Sequence, residues 1–207
     1  MYSEPTVFLV DDDDAVRASL ARLFSASGLH VRSFSRAKEY LAESDVDCPG
    51  CLVLDLRMPE IDGLELQAAL RNGASSRPII FLTGHGGVSE SVAAMKAGAT
   101  DFFEKPAEPS ELLAAVNRAI ALDAQRRTEA VEFADLTRRL AKLTPREREV
   151  FERVVAGRLN KQIARELGVS EKTVKVHRGR VMEKMETRSV AELARLAERL
   201  GIGMDAT

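Results

Sequence analysis

The sequence predicts two domains of different class: a doubly wound α/β domain built on a parallel five-stranded sheet, followed by a separate all-α domain. Two observations predict this. Short apolar runs alternate with segments of helical periodicity up to about residue 120, whereas only helical segments are found after about residue 140. Regular alternation of strands and helices is typical of a parallel sheet covered by helices on both faces. The length of 207 residues is sufficient for two such domains.

Five short runs in the first part of the chain have the length of strands, and the most apolar of them lack the polar alternation of a half-exposed strand. Strands covered on both faces have this pattern. The predicted strands are 6–10, 29–34, 50–54, 78–82 and 101–104.

Segments with apolar residues at helical spacing connect these strands. The predicted helices cover residues 15–27, 37–42, about 64–72 and 89–97, and a further helix starts near residue 108.

Candidate site residues follow four of the five strands directly. Asp11 and Asp12 come after the first strand, Asp55 after the third, Thr83 after the fourth and Lys105 after the last. Because the carboxyl ends of parallel strands meet at one edge of a sheet, where ligands bind, we expect these side chains to lie together.

The four consecutive aspartates at 11–14 need a further explanation. Asp14 is well placed as the N-cap of the first helix. One cap does not account for four adjacent like charges, and a bound cation explains two of them better.

The chemistry of these side chains is that of a phosphoryl-transfer site. Carboxylates after the first and third strands would hold Mg²⁺, or another divalent cation such as Mn²⁺, which offsets charge on an incoming phosphoryl group. Thr83 would supply a hydroxyl and Lys105 a cation to the phosphoryl oxygens. Asp55 would be the nucleophile and would form an aspartyl phosphate.

Charge divides the chain in the same way as the predicted elements. Residues 1–120 contain 11 Lys and Arg against 18 Asp and Glu, a net charge of −7, and residues 141–200 contain 15 against 9, a net charge of +6. The acidic part fits a cation site and the basic part fits a polyanion such as nucleic acid. No apolar run has the length of a membrane span and the N-terminus lacks a signal-peptide pattern, so we expect a cytoplasmic protein without a membrane partner.

Cys48 and Cys51 have the C-x-x-C spacing of redox and metal motifs. The pair leads into a strand, whereas a thioredoxin-like pair comes after one and opens a helix. The sequence offers no second pair of zinc ligands. We therefore predict that Cys51 is a buried structural residue of the strand.

Residues 121–140 are predicted to form a helical linker. Apolar residues keep helical spacing from about residue 108 to 140, but a polar stretch at 123–129 separates two apolar stripes. One continuous helix, which would be a stiff spacer, and two helices joined by a loop both fit this pattern.

Residues 141–203 are predicted to form four short helices. The first starts with a capping box of Thr144 and Glu147, and the last is capped by Ser189. A tight turn at Gly168 joins the second helix to the third, and Ser170 is predicted to cap the third. Two short helices joined through a glycine turn are typical of a helix-turn-helix.

The third of these helices has an apolar face and a basic face. Most charged faces are merely solvated. Here two observations favour DNA as a partner: the turn before the helix, and further basic residues nearby that could bind phosphates of the DNA backbone. The basic face and its start comprise Lys172, Thr173, Lys175, Val176, His177, Arg178 and Gly179, and the nearby residues are Lys161, Arg165 and Lys184.

Residues 1–120 resemble a response-regulator receiver domain, which has a flavodoxin-like fold. The resemblance is carried by Val10-Asp11-Asp12, Leu54-Asp55-Leu56-Arg57-Met58-Pro59, Asp62-Gly63, Leu82-Thr83 and Lys105-Pro106. It implies that Asp55 is the phosphoacceptor and that Lys105 contacts the phosphoryl group. It further implies Mg²⁺ bound directly by Asp12, Asp55 and the backbone carbonyl of Arg57, and through water by Asp11.

The resemblance also implies a switch, in which Thr83 moves toward the phosphate and Phe102 turns inward. In this family the bond between Lys105 and Pro106 is often cis. Ala107 is a departure, since phenylalanine is usual there. Our own hypothesis is that Arg57 and His85, each two residues beyond a site residue, control access of the water that hydrolyses the phosphoaspartate.

Residues 141–203 resemble the LuxR-type helix-turn-helix in segments 143–150, 160–164 and 173–177. Together the two domains resemble a FixJ-like response regulator of the NarL/FixJ type. The resemblance implies base contacts from Lys175 and Val176, and backbone contacts from a second set: Lys161, Thr173, His177 and Arg178. Gly179 is a departure, because relatives can carry a base-reading side chain there.

These observations predict a two-component response regulator. A sensor histidine kinase would phosphorylate Asp55, and the activated protein would dimerise, bind paired half-sites in promoter DNA and act with RNA polymerase. We expect no turnover of an external substrate. A Mg²⁺-dependent phosphohydrolase would need its nucleophile after the first strand and a substrate-binding cap. A DNA-binding regulator whose receiver is not controlled by phosphorylation is the other alternative.

Overall fold

The computed structural model describes residues 4–42, 48–73, 75–84 and 87–202. It divides into two compact units, Met1–Arg127 and Thr128–Thr207. Within the described residues, no helix combines the length and the apolar character needed to cross a membrane.

The first unit contains a five-stranded parallel sheet in the order β2-β1-β3-β4-β5. The strands are β1 (Thr6–Val10), β2 (His30–Phe34), β3 (Gly50–Leu54), β4 (Ile79–Thr83) and β5 (Asp101–Glu104). The helices are α1 (Asp14–Ala26), α2 (Ala37–Ala42), α3 (Gly63–Asn72), α4 (Val88–Lys96) and the long α5 (Pro109–Ala141). The predicted doubly wound fold is confirmed.

The two faces of the sheet carry separate hydrophobic cores. Side chains alternate between the faces along each strand, so successive residues of β1 join different cores. One core contains Phe8, Val10, Leu52, Leu54 and Phe81 with residues of α2, α3 and α4. The other contains Val7, Leu9, Val53, Ile80 and Leu82 with residues of α1 and α5. Cys51 is fully buried in the second core, as predicted, and burial raises the pKa of its thiol to about 12.

The first helix starts one residue earlier than predicted. Asp13, and not Asp14, is the N-cap of α1, because its carboxylate accepts hydrogen bonds from the backbone N–H groups of Ala15 and Val16. In a run of identical aspartates, local sequence does not distinguish the capping position from its neighbours.

The polar stretch at 123–129 is helical, because α5 extends without a break from Pro109 to Ala141. Proline is tolerated at the start of α5, where its missing N–H would have no partner within the helix. Residues up to Arg127 belong to the first unit and those from Thr128 to the second.

The second unit contains α6 (Pro145–Val155), α7 (Asn160–Leu167), α8 (Glu171–Lys184) and α9 (Val190–Arg199) in addition to the end of α5. The predicted caps are present: Thr144 and Glu147 form a capping box, and Ser170 and Ser189 cap α8 and α9. Gly168 has a left-handed conformation between α7 and α8, which glycine adopts easily. Buried residues of α6, α7, α8 and α9 form one core.

Candidate functional site

The acidic residues of the predicted site lie together at the carboxyl ends of β1 and β3. These strands pair in parallel with Val10 opposite Leu54, so Asp11 and Asp55 emerge side by side. The backbone N–H of Asp55 donates to the carbonyl of Val10 at an N···O distance of 2.8 Å. Carboxylate oxygens of Asp11, Asp12 and Asp55 lie within 4.8 Å of one another. Asp11 and Asp55 are buried, whereas Asp12 is exposed.

Lys105 extends from the end of β5 into this cluster. Its ammonium group donates to Asp11 Oδ2 at 2.7 Å and to Asp55 Oδ2 at 3.0 Å. Burial raises the pKa of the Asp11 carboxyl, an effect that the hydrogen bond from Lys105 partly offsets. Burial alone would lower the pKa of Lys105, but its hydrogen bonds to Asp11 and Asp55 outweigh burial and raise it. The lysine is therefore held protonated beside the carboxylates.

Thr83 and Phe102 lie on the neighbouring strands β4 and β5. Thr83 is fully buried at the end of β4, and its carbonyl accepts a hydrogen bond from the Lys105 backbone N–H at 2.8 Å. Phe102 is half-buried, with its ring centroid 6.2 Å from that of Phe81. The bond between Lys105 and Pro106 is cis.

The donor set of the cluster fits a hard divalent cation. Asp11, Asp12 and Asp55 offer carboxylate oxygens, the ligands that Mg²⁺ prefers, and the three carboxylates outnumber the single ammonium of Lys105. The backbone N–H of Arg57 lies 3.4 Å from Asp55 Oδ1, so the main chain of Arg57 is adjacent to the cluster.

The loop between β3 and α3 is folded tightly against the end of β3. The backbone N–H of Gly63 donates to the Leu56 carbonyl at 2.8 Å. A Cβ atom at Gly63 would lie 2.5 Å from the Asp55 carbonyl oxygen, which is closer than real Cβ contacts allow. Asp62 and Glu65 cap α3 reciprocally. Asp62 thus fixes the start of α3, and Gly63 leaves the space that the Asp55 carbonyl occupies.

Two arginines near the site have partners that the sequence did not reveal. Arg57 forms an ion pair with Glu90 of α4, and Glu90 also accepts a hydrogen bond from the backbone N–H of Gly87 at 2.8 Å. Arg17 donates to the Asp11 carbonyl at 2.8 Å. His85, the second residue of the hydrolysis hypothesis, lies outside the described residues.

The second candidate site is the exposed face of α8. Two of the predicted base-contacting and phosphate-contacting residues, Lys175 on α8 and Lys161 on α7, are exposed. Val176 is 49 % exposed, which is high for an apolar side chain. Arg180, which was not among the predicted contacts, is also exposed on α8, and a helical projection places it beside this face.

The remaining predicted DNA contacts lie at the margins of this face. Thr173, His177 and Arg178 are half-buried. The hydroxyl of Thr173 hydrogen-bonds the Ser170 hydroxyl at 2.8 Å, and Arg178 donates to the side-chain oxygen of Asn160 at 2.9 Å. Asn160 is the first residue of α7, so Arg178 links the two helices of the helix-turn-helix.

Lys184 has a structural role in the second unit. Its ammonium donates to Glu147 at 2.6 Å and to the Lys142 carbonyl at 3.0 Å. The hydrogen bond from Lys184, with that from the backbone of Thr144, lowers the pKa of Glu147 to about 2. Of the three nearby basic residues considered for phosphates, Lys184 is thus already paired, whereas Lys161 and Arg165 are exposed.

Two family matches cover most of the chain. Residues 7–117 match the response regulator receiver domain. Residues 141–197 match the bacterial regulatory proteins of the luxR family.

Similar curated proteins share both parts. Nodulation protein W of Bradyrhizobium diazoefficiens is 46 % identical over 201 residues, covering 97 % of this chain and 88 % of that protein. The transcriptional regulatory protein FixJ of the same organism is 42 % identical over 203 residues, covering 98 % of each chain. The response regulator protein TodT of Pseudomonas putida is 44 % identical over 194 residues, covering 94 % of this chain and 86 % of that protein.

Solved structures are similar over nearly the whole length. The response regulator StyR has a TM-score of 0.85 at 43 % identity, with 95 % of this chain and 100 % of that chain covered. Full-length FixJ from B. japonicum has a TM-score of 0.58 at 41 % identity, with 96 % of this chain and 98 % of that chain covered.

Proposed function

Because the chain belongs to the response regulators that join a receiver domain to a LuxR-type DNA-binding domain, we propose that phosphorylation of Asp55 switches its binding to promoter DNA. The phosphoryl group would come from a sensor histidine kinase. The observation that carries this proposal is the cluster in which the Asp55 carboxylate lies beside Asp11, Asp12 and Lys105.

In the proposed reaction, an oxygen of the Asp55 carboxylate attacks the phosphorus of the phosphohistidine. A P–O bond forms to Asp55 as the P–N bond breaks, and the electron pair of that bond leaves with the imidazole. Lys105 contributes a positive charge next to the attacking carboxylate. Mg²⁺ held by Asp11, Asp12, Asp55 and the Arg57 carbonyl would offset negative charge on the phosphoryl oxygens. No external substrate is turned over, since the product is the modified protein itself.

We propose that Thr83 and Phe102 carry the change to the surface. Thr83 is buried at the strand end next to β5, where a hydroxyl can turn toward a new phosphoryl oxygen. Phe102 is half-buried and can move further into the core beside Phe81. The result would be a homodimer in the cytoplasm. Its two α8 helices would bind paired half-sites in promoter DNA, and the bound dimer would recruit RNA polymerase.

The test compares the wild-type protein with Asp55→Asn and with Asp14→Asn as a matched control. Asp14 is an exposed aspartate next to the cluster but outside it. Each protein is incubated with Mg²⁺ and a small phosphodonor, and intact mass, oligomeric size and binding to selected DNA are measured. We expect wild type and Asp14→Asn to gain one phosphoryl group and to bind DNA more tightly, and Asp55→Asn to do neither.

Two results would contradict the proposal. Equal mass gain in Asp55→Asn and wild type would show that another residue accepts the phosphoryl group. A normal mass gain without any change in DNA affinity would favour a DNA-binding regulator that phosphorylation does not control.

A further inference from the structure

Glu90 uses its two carboxylate oxygens for two different partners. Oε2 accepts a hydrogen bond from the backbone N–H of Gly87 at 2.8 Å, which caps the start of α4. Oε1 forms an ion pair with the guanidinium of Arg57, in the loop that follows β3. The cap needs an acceptor at this position of the helix, and glutamine supplies one as glutamate does. The pair with Arg57 is therefore a second role of Glu90 that can be separated from the cap.

Arg57 lies next to the proposed phosphoacceptor. Its backbone N–H is 3.4 Å from Asp55 Oδ1, so its side chain starts beside the site of phosphorylation. The pair with Glu90 directs that side chain toward the start of α4. The side chain of Arg57 is 62 % exposed, and exposed ion pairs contribute little stability. A stronger anion at Asp55 can therefore displace Glu90 from the guanidinium.

Phosphorylation of Asp55 would create such an anion. A phosphoryl group carries more negative charge than one carboxylate and offers three acceptor oxygens. A guanidinium can bind phosphate through two parallel hydrogen bonds, as it binds a carboxylate. We infer that Arg57 exchanges partners on phosphorylation: Glu90 holds its side chain in the unphosphorylated protein, and the phosphoryl group on Asp55 takes it over. This inference rests on the proposed function, since it requires Asp55 to be the phosphoacceptor.

The exchange means that Glu90 slows phosphorylation. A guanidinium released from Glu90 can contribute positive charge beside the Asp55 carboxylate as the anionic phosphodonor arrives, whereas a paired guanidinium must first leave its partner. Glu90 is not one of the three carboxylates of the cluster. It is thus a positioning residue that acts on the reaction through Arg57.

The experiment measures the rate at which the full-length protein is phosphorylated by acetyl phosphate at a fixed Mg²⁺ concentration, followed by intact mass. Glu90→Gln keeps the capping acceptor and removes the charge that holds Arg57. We expect this variant to react about threefold faster than wild type at low ionic strength, the size of effect that an exposed ion pair can have. The difference should become smaller at high ionic strength, because salt screens exposed charges.

Two further variants test whether the pair is the cause. Glu65 occupies the same position in the capping box of α3, so Glu65→Gln repeats the change of cap and of net charge without altering the partner of Arg57. It should react at the wild-type rate. In an Arg57→Ala background, Glu90→Gln should have no effect, because no guanidinium remains to be released. An increase of the same size in that background would overturn the inference, as would an unchanged or lower rate in Glu90→Gln alone.

The same measurements separate this inference from the proposed function. If wild type gains one phosphoryl group and Asp55→Asn gains none, but Glu90→Gln reacts at the wild-type rate, the inference about Glu90 fails and the proposed function stands. If Asp55→Asn reacts like wild type, the phosphoacceptor is wrongly assigned and both fail.

Discussion

Glu147 combines two stabilising roles in the second unit. As part of the capping box of α6, its carboxylate accepts a hydrogen bond from the backbone N–H of Thr144 at 2.9 Å. The same oxygen accepts a hydrogen bond from Lys184, near the end of α8, at 2.6 Å. Glu147 is only 2 % exposed, so this ion pair connects two helices through a buried carboxylate. A buried charge with well-placed donors makes stability depend on pH.

We predict that this carboxylate makes the second unit sensitive to acid. The pKa of Glu147 is about 2 in the folded protein, against an ordinary value of 4.5. Because the folded-state value is the lower one, the stabilisation is fully present above about pH 4.5 and is lost as pH falls toward about 2. Glu147→Gln should reduce the free energy of unfolding by about 2 kcal/mol at neutral pH and by much less near pH 3. Urea unfolding followed by circular dichroism across this pH range measures the difference.

Glu152→Gln is the matched control, because Glu152 pairs with Arg148 at an exposed position. Exposed pairs contribute little, so this variant should change the free energy of unfolding by less than about 0.5 kcal/mol at any pH. A constant difference between Glu147→Gln and wild type from pH 7 to pH 3 would rule out the assigned role of Glu147.

The part of α5 beyond residue 120 is anchored to the sheet. Asp123 is completely buried, and its Oδ2 accepts hydrogen bonds from the Gly50 backbone N–H at 2.9 Å and from Arg127 at 2.7 Å. Arg127 also donates to the Cys48 carbonyl at 3.2 Å. Gly50 has a φ of 143°, and a Cβ atom there would lie 1.8 Å from the Thr6 carbonyl oxygen. Glycine is therefore required where β3 begins.

We predict that Asp123→Ala destabilises the first unit by about 2–4 kcal/mol, because it leaves the buried N–H of Gly50 without this acceptor and removes the ionic partner of Arg127. Hydrogen exchange detected by mass spectrometry should show faster exchange in peptides covering β3 and residues 121–127. Asn117→Ala, at an exposed position of α5, serves as the control and should change neither measurement appreciably. Unchanged exchange in Asp123→Ala would mean that α5 is held by its apolar contacts alone.

The elements that sequence predicted correctly are those whose signals are local. Strands covered on both faces are nearly continuous apolar runs, and helix caps such as Thr144 and Ser170 act on residues two or three positions away. The gathering of Asp11, Asp55 and Lys105 was also predictable, because parallel strands bring their carboxyl ends to one edge.

Polar pairs between distant segments were not predictable. The sequence placed Asp123 in the polar stretch at 123–129. Its hydrogen-bond partner Gly50 is 73 residues away, and only the folded sheet brings the two together. Arg178 and Lys184 were assigned to DNA from their charge alone, and their hydrogen bonds to Asn160 and Glu147 were not foreseen because these partners lie on other helices. A charge pattern shows that a side chain needs a partner, and does not show which one.

Charge divides the chain into an acidic first part and a basic second part. The acidic first part suits a cation site and the basic second part suits DNA, as the net charges of −7 for residues 1–120 and +6 for residues 141–200 indicate. Binding to a polyanion releases counterions, so affinity should fall linearly with salt concentration on a double logarithmic plot.

We predict that Lys161→Ala weakens binding to all DNA sequences alike and reduces the salt slope by about 1, because Lys161 is exposed on α7 and would contact a phosphate. Fluorescence anisotropy titrations at several salt concentrations, on selected and unrelated DNA, give both quantities. Arg195→Ala is the control, since Arg195 is an exposed residue of α9 that the sequence does not assign to DNA. A loss confined to selected DNA would mean that Lys161 contacts a base instead.

The buried bond between Asp123 and Gly50 also bears on how such proteins can be recombined. A receiver cut after residue 120 keeps all five strands and the acid cluster. It loses the Asp123 carboxylate, which accepts a hydrogen bond from the backbone N–H of Gly50, the first residue of β3. Fusing a foreign output domain at that point would leave the start of the strand leading to Asp55 without this support. A junction placed after Arg127, at the boundary between the two units, keeps the bond intact. In exchanges of output domains, by gene fusion or in the laboratory, the receiver should therefore keep residues 121–127 of α5 as part of its own domain.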